Sequence, residues 1–122
     1  MSGSVLTVDD SPSIRVAIRI ALAAAGYTVA EASDGAEGLR QAKSNRYDLI
    51  ITDLNMPVMN GLEMIEELRK SPEHAGMPII FLTTESDAGM KLKAKAAGAT
   101  GWITKPFDPP SLVKIVNKVL GK

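Results

Sequence analysis

Side chains able to bind a cation or transfer a proton follow directly after several short apolar runs. The residues concerned are Asp9 and Asp10, Asp53, Thr83 and Lys105. A carboxylate at the end of a buried strand is costly to desolvate unless a cation or hydrogen bonds compensate it. We therefore expect these side chains to meet in one site.

The chemistry of such a site follows from its residue types. Three carboxylates close together repel one another, which raises their pKa values unless a cation lies among them. Oxygen ligands suit a hard cation, and few protein ligands with several waters suit Mg²⁺ better than Ca²⁺. Lys105 adds a positive charge and Thr83 adds a hydroxyl donor. Together these groups could stabilise a phosphoryl group transferred onto Asp53.

Five consecutive strand–helix units would position these residues. The predicted strands are 5–8, 28–32, 49–52, 79–82 and a short one around 102–103. Strands that are apolar on both faces, alternating with amphipathic helices, predict a parallel sheet covered on both sides. We predict one α/β domain with five strand–helix units and a doubly wound parallel sheet. Ligands of such sheets bind at the carboxyl ends of the strands.

Two predicted helices differ sharply in how well the sequence specifies them. The last helix has a cap at Asp108, prolines at 109 and 110, and a regular apolar face. The helix at about 87–97 is weakly specified, because its apolar residues are mostly alanine and Gly89 lies in its first turns. We expect the weaker helix to be the one most easily displaced.

Length and composition exclude several classes of protein. The 122 residues fit a single domain, 1–122, with 14 basic residues balancing 14 acidic ones. No net field therefore favours nucleic acid or an anionic membrane. The absence of cysteine excludes disulfides, thiolate metal sites and thiol nucleophiles. With no visible signal peptide or membrane-length apolar run, we expect a cytoplasmic protein.

The whole chain resembles a receiver domain of two-component response regulators, and most resembles the single-domain chemotaxis regulators of the CheY type. The matching segments are Val8-Asp9-Asp10, Asp53-Leu54-Asn55-Met56-Pro57 with Gly61, Thr83-Thr84, and Lys105-Pro106-Phe107. The resemblance implies a doubly wound, flavodoxin-like (βα)5 fold with strand order 2-1-3-4-5. It also implies a signalling switch rather than an enzyme with an external substrate. Asp53 would accept a phosphoryl group from the phosphohistidine of a histidine kinase and would assist its own phosphorylation and dephosphorylation.

The resemblance also implies a Mg²⁺ site. Asp10 and Asp53 would bind Mg²⁺ directly, together with the backbone carbonyl of Asn55, while Asp9 would act through water. Lys105 would contact the phosphoryl oxygens and the Asp53 carboxylate. Its peptide bond to Pro106 is expected to be cis.

Other matching residues would report and limit the phosphorylated state. Thr83 would move to bond the phosphoryl group. Asn55 and Glu85, with Thr84 beside the latter, would govern how water reaches the acyl phosphate, and this pair implies a short-lived phosphorylated state. Trp102 stands where the family commonly has the switch tyrosine or phenylalanine.

The expected output face comprises the weakly specified helix, the strand of Trp102 and the last helix. Four lysines could decorate it and suit an acidic or amphipathic partner segment: Lys91, Lys95, Lys114 and Lys118. We expect a monomer without an output domain, whose partners are a histidine kinase, a target such as the flagellar motor switch, and a phosphatase. His74, in a loop with proline and glycine, is predicted to be a surface residue rather than a phosphorelay histidine.

Three alternatives remain open. A phosphorelay intermediate would use the same site. A Mg²⁺-dependent phosphohydrolase with Asp53 as nucleophile would usually place a second carboxylate two residues later, where this chain has Asn55. A flavodoxin-like cofactor binder would have a glycine- or hydroxyl-rich phosphate loop after the first strand, and this chain has none.

Overall fold

Five parallel strands form one sheet with helices on both faces. The computed structural model describes residues 3–122. The strands are β1 (Ser4–Val8), β2 (Thr28–Ala32), β3 (Leu49–Thr52), β4 (Ile79–Thr83) and β5 (Gly101–Thr104). The helices are α1 (Pro12–Ala24), α2 (Gly35–Ser44), α3 (Gly61–Arg69), α4 (Ala88–Ala96) and α5 (Pro109–Leu120), with a 3-10 turn at Pro72–His74. The sheet order β2-β1-β3-β4-β5 confirms the predicted fold.

Each of the five α-helices begins at a side chain that accepts a hydrogen bond from the first helical turn. These capping residues are Ser11, Asp34, Asn60, Asp87 and Asp108. The caps satisfy amide groups that have no partner within the helix. They also fix where each helix starts relative to the strand before it, and so how the loops at the carboxyl edge of the sheet are held.

The core consists of two apolar layers, one on each face of the sheet. Alternate residues of a strand point to opposite faces, so Leu6 and Ile50 pack on the side of α3 and its Met64. Val5 and Ile51 pack on the other side, against α1 and α5. The central strand β3 is buried along its whole length. Because β3 is covered on both faces, its carboxyl end is held in a fixed position, and Asp53 follows directly after it.

Helix α4 has the weakest anchoring of the helices. Ala94 is its one buried residue, and Leu92 is 69% exposed. Arg69, at the end of α3, donates from Nη1 to the carbonyl of His74 at 2.6 Å and from Nη2 to the carbonyl of Gly98 at 2.7 Å. The guanidinium therefore ties the turn after α4 to the end of α3.

The prediction that His74 lies on the surface is wrong. Its side chain is buried, and Nε2 lies 3.0 Å from the carbonyl oxygen of Ala42. That carbonyl is in the last turn of α2, where carbonyl groups have no partner within the helix. The 3-10 turn that starts at Pro72 carries the imidazole under α2, where it satisfies this group.

Within the described residues 3–122, no helix is long and apolar enough to cross a membrane.

Candidate functional site

The acidic residues singled out from the sequence meet at the carboxyl edge of the sheet. Asp9, Asp10 and Asp53 each offer a carboxylate oxygen, and these atoms lie within 4.8 Å of one another. Lys105 reaches across from the end of β5. Its Nζ donates to Asp9 Oδ2 at 2.9 Å and to Asp53 Oδ2 at 3.1 Å. The four side chains thus form one cluster, as the strand-end positions predicted.

Asp53 is held by the main chain on both sides. Its amide donates to the Val8 carbonyl at 2.9 Å, and its Oδ1 accepts from the Leu54 amide at 2.7 Å. A Cβ added at Gly61 would lie 2.2 Å from the Asp53 carbonyl oxygen, so only glycine allows α3 to start this close. The carboxylate therefore has a fixed direction, with Oδ2 toward Lys105 and 8% of the residue exposed.

Asp9 is more deeply buried than Asp53, whereas Asp10 is exposed. Asp9 Oδ1 accepts from the Ser11 amide at 2.9 Å. Its backbone carbonyl accepts a hydrogen bond from Arg15 Nη1. We did not predict a role for Arg15 from the sequence, although a basic residue in the helix that follows an acidic pair is a signal that could have found it.

The charges in the cluster do not balance. Burial raises the pKa of the Asp9 carboxyl, and this outweighs the lowering by the Ser11 amide and by Lys105. Burial alone would lower the pKa of Lys105, but its hydrogen bonds and charge interactions with Asp9 and Asp53 raise it, so the ammonium stays charged. One ammonium thus faces three carboxyl groups. The excess of acidic groups at this edge of the sheet would attract a further cation.

The donor set fits Mg²⁺. All the available side-chain ligands are oxygens, and two of the three residues already share a lysine. Among residues 3–122, the Asp10 carboxylate has no hydrogen-bond or ion-pair partner, and it is open to solvent. A small hard cation that keeps several waters could be held here without displacing a protein group from Asp10.

The hydroxyl of Thr83 is already in use. Thr83 is fully buried, and its Oγ1 accepts from the Glu85 amide at 3.2 Å, which closes the turn between β4 and α4. Its carbonyl accepts from the Lys105 amide at 2.8 Å. Thr84 and Asn55 are exposed and Glu85 is half-buried. The Lys105–Pro106 peptide bond is cis.

Trp102 lies between the core and the output face. The indole ring is 5.7 Å from the Phe81 ring, tilted by 45°, and its buried Nε1 has no hydrogen-bond partner among the described residues. Lys91 Nζ lies 5.9 Å from the ring centroid, a distance at which a cation is attracted to the ring. A groove of about 260 Å³ lies between α4 and β5 and includes Lys91, Lys95 and Trp102 in its lining. Like Lys91 and Lys95, the α5 residues Lys114 and Lys118 are exposed.

Solved structures with this fold are similar to the chain over nearly its whole length. A structure of the chemotaxis response regulator CheY4 of Vibrio cholerae is 46% identical, with a TM-score of 0.93, covering 98% of this chain and 100% of that one. The receiver domain of the sensor histidine kinase PA1611 of Pseudomonas aeruginosa PAO1 is 30% identical, with a TM-score of 0.91, and the match covers 100% of both chains.

The chain is also similar to parts of longer curated proteins. The probable transcriptional regulator ycf29 of Porphyra purpurea is 34% identical over 120 residues, which are 98% of this chain and 57% of that protein. The chain therefore spans little more than half the length of such relatives.

The family model described as "Response regulator receiver domain" matches residues 5–117. Its match includes all the residues of the acidic cluster and Lys105, and extends into α5. The chain belongs to the response regulator receiver domain family.

Proposed function

We propose that residues 1–122 act as a phosphorylation-activated switch of a two-component system in which Asp53 accepts a phosphoryl group in a Mg²⁺-dependent reaction. The observation that carries this proposal is the bridge made by Lys105 Nζ between Asp53 and Asp9, beside the open carboxylate of Asp10. The PA1611 receiver structure, which has a magnesium ion coordinated in its active-site cleft, supports the metal.

In the proposed transfer, a carboxylate oxygen of Asp53 forms a bond to phosphorus while the bond from phosphorus to the kinase histidine breaks. The imidazole nitrogen leaves with the electron pair of that bond. Bound Mg²⁺ would neutralise the charge that builds up on the phosphoryl oxygens. Asp10, Asp53 and the Asn55 carbonyl would hold it, with Asp9 acting through water. Lys105 is already within hydrogen-bond distance of Asp53, so its ammonium needs little movement to pair with a phosphoryl oxygen.

The proposed signal passes through Thr83. Its hydroxyl oxygen now accepts from the Glu85 amide. Movement of the side chain toward Asp53, so that the hydroxyl donates to the new phosphoryl group, would lengthen that bond. That change would loosen the turn before α4, the helix with the fewest buried residues. Phosphorylation would thus shift a pre-existing equilibrium of α4 and the Trp102 ring, by the difference in affinity of the two states for the phosphoryl group.

Asn55 and Thr84 are exposed and Glu85 is half-buried, so these side chains would not shield an acyl phosphate at Asp53 from water. We therefore expect spontaneous hydrolysis and a short-lived phosphorylated state. Turnover of this kind is part of the switch and requires no external substrate.

The proposed partners follow from the site and from the basic output face. A histidine kinase would supply the phosphoryl group, and a phosphatase could remove it. An acidic or amphipathic segment of a target would bind the face of Lys91, Lys95, Lys114 and Lys118. Since the CheY4 relative is a chemotaxis regulator, we propose a chemotaxis target such as the flagellar motor switch. The protein would act in the cytoplasm as a monomer, without binding nucleic acid or membrane.

The test is phosphorylation by acetyl phosphate with and without Mg²⁺. The reaction is monitored by intact mass and by Trp102 fluorescence. The expected result is one phosphoryl group that requires Mg²⁺ and decays spontaneously, and that is absent from Asp53→Asn. A fluorescence change with the same time course would connect Trp102 to the switch. An unmodified mass in the presence of bound Mg²⁺ would refute Asp53 as acceptor. Steady hydrolysis of an external phosphate ester would favour the phosphohydrolase instead.

A further inference from the structure

All the hydrogen-bonding groups of Asp9 have partners. Its amide donates to the Ala32 carbonyl at 3.0 Å, Oδ1 accepts from the Ser11 amide, and Oδ2 accepts from Lys105 Nζ. The backbone carbonyl accepts from Arg15 Nη1, a side chain that reaches back from α1. Of these four partners, Arg15 holds the peptide unit that joins Asp9 to Asp10.

The orientation of that peptide unit decides where Asp10 stands. A peptide bond is planar, so fixing the direction of the Asp9 carbonyl fixes the direction in which the chain continues to the Asp10 Cα atom. The Asp10 carboxylate itself has no partner within residues 3–122. Its position beside Asp9 and Asp53 therefore depends on the backbone, which Arg15 restrains before Asp10, at the Asp9 carbonyl, and which Asp9 Oδ1 restrains after Asp10, at the Ser11 amide.

A second acceptor keeps the guanidinium in place. Arg15 Nε donates to Glu31 Oε1 at 3.2 Å, and the two side chains are 17% and 25% exposed. Glu31 lies on β2, where its Cα pairs with that of Thr7 on β1. The planar guanidinium can bond the carbonyl and the carboxylate at once, which an ammonium cannot do in the same geometry. Glu31 also offsets the positive charge next to the acidic cluster.

We propose that Arg15 is a positioning residue of the cation site, which orients Asp10 by holding the Asp9 carbonyl. This inference rests on the proposed function, because it assigns Arg15 to the Mg²⁺ site described there. Arg15 does not touch the cation. It acts through the main chain, and Glu31 acts through Arg15.

The sign of one measurement separates this role from a purely electrostatic one. Removing a positive charge close to three carboxylates would by itself strengthen binding of a divalent cation. Loss of positioning would weaken it, and loss of a group that orients a metal ligand typically costs tenfold or more in affinity. We expect Arg15→Gln to weaken Mg²⁺ binding about tenfold.

The test is a titration of the unphosphorylated protein with Mg²⁺ alone. Binding is monitored through the backbone amide chemical shifts of Asp10 and Ser11. Arg19→Gln is the matched control, because Arg19 also pairs with Glu31 but makes no contact with Asp9. The expected result is a weaker Mg²⁺ affinity for Arg15→Gln and an affinity within twofold of the wild type for Arg19→Gln. Unchanged or tighter binding by Arg15→Gln would overturn the proposal, as would equal weakening of both variants.

A second variant and the wild-type titration complete the test. Should Arg15→Gln fail to fold, Arg15→Lys carries the test, since it keeps the charge and the aliphatic stem but cannot bond both acceptors in a fork. It is expected to bind Mg²⁺ more weakly than the wild type, and wild-type affinity would refute the role. The wild-type titration distinguishes the two levels of inference. Wild-type protein that does not bind Mg²⁺ would remove the proposed function, whereas wild-type binding with an unaffected Arg15 variant would remove only the role of Arg15.

Discussion

Gly61→Ala should misplace the phosphoacceptor proposed here. The added Cβ would lie 2.2 Å from the Asp53 carbonyl oxygen and 2.8 Å from Phe81 Cε1. The first distance is more than about 1 Å shorter than an ordinary van der Waals contact. Neither neighbour can yield easily, because Phe81 is fully buried and the Asp53 carbonyl accepts a hydrogen bond from Thr52 Oγ1. The backbone at Asp53 must therefore move.

The expected cost of Gly61→Ala follows from two opposing terms. Overpacking against rigid neighbours costs about 3 kcal/mol, at the upper end of its usual range. Alanine regains less than about 1 kcal/mol over glycine at the start of α3. The net loss of about 2 kcal/mol should lower the Tm by about 6–10 °C for a domain of this size. Because a displacement of about 1 Å is costly to a transfer reaction, the rate of phosphorylation by acetyl phosphate should also fall at least about tenfold.

Thermal unfolding by circular dichroism and the phosphorylation rate by intact mass measure the two effects. Gly76→Ala is the control, since a Cβ at Gly76 would meet no atom within 4 Å. It should change the free energy of unfolding by no more than about 0.5 kcal/mol. A Gly61→Ala protein with the stability and phosphorylation rate of the control would refute the packing argument.

Three other predictions concern charge and burial. Lys105→Met removes the partner of two carboxylates, so without Mg²⁺ the protein should lose about 2–3 kcal/mol of stability; Mg²⁺ should raise its Tm more than that of the wild type, and equal increments would contradict this. His74→Ala leaves a carbonyl at the end of α2 unpaired over a cavity and should cost about 2–3 kcal/mol in urea unfolding, whereas a loss below about 0.5 kcal/mol would argue for an imidazole that is free in solution. Hydrogen bonds from the Ser33 amide and, second, from its hydroxyl hold the pKa of Glu37 below its usual value. They therefore stabilise the fold at neutral pH, and this stabilisation is lost as the pH falls and the Glu37 carboxylate becomes protonated. Ser33→Ala removes the hydroxyl donor and keeps the amide, so the Tm difference that it causes at neutral pH should disappear in acid. A difference that persists there would exclude Glu37 as its cause.

The sequence was sufficient to predict the fold and the meeting of the charged residues because both depend on a simple rule. Parallel strands end at one edge of the sheet, so Asp9, Asp53 and Lys105 had to lie there once five strand–helix units were recognised. The cap at Asp108 was predictable for a similar reason, since it depends on residues close in the chain.

Features that depend on contacts distant in sequence were not predictable in this way. His74 bonds a carbonyl 32 residues earlier, and nothing in its polar loop indicates that the 3-10 turn folds inward. The hydrogen bond from Arg15 to the Asp9 carbonyl depends on how α1 is rotated about its axis. The apolar periodicity of the sequence does not determine that rotation closely enough to predict a single side-chain contact. The contact of Lys91 with the Trp102 ring depends on the docking of a helix that has a single buried residue.

The two hydrogen bonds from Arg69 to the carbonyls of His74 and Gly98 have a mechanical consequence. They fasten the carboxyl end of α4, while the amino end leads back to Thr83 through the turn closed by the Glu85 amide. A helix fastened at one end behaves as a lever with its pivot there. With that pivot, Ala88 at the amino end of α4 (the tip) would move farthest when the turn after Thr83 changes, and the carboxyl end near the strand of Trp102 (the root) would move least. Small forces at the site would therefore swing α4 rather than slide it, and a target that reads the tip would sense more movement than one that reads the root.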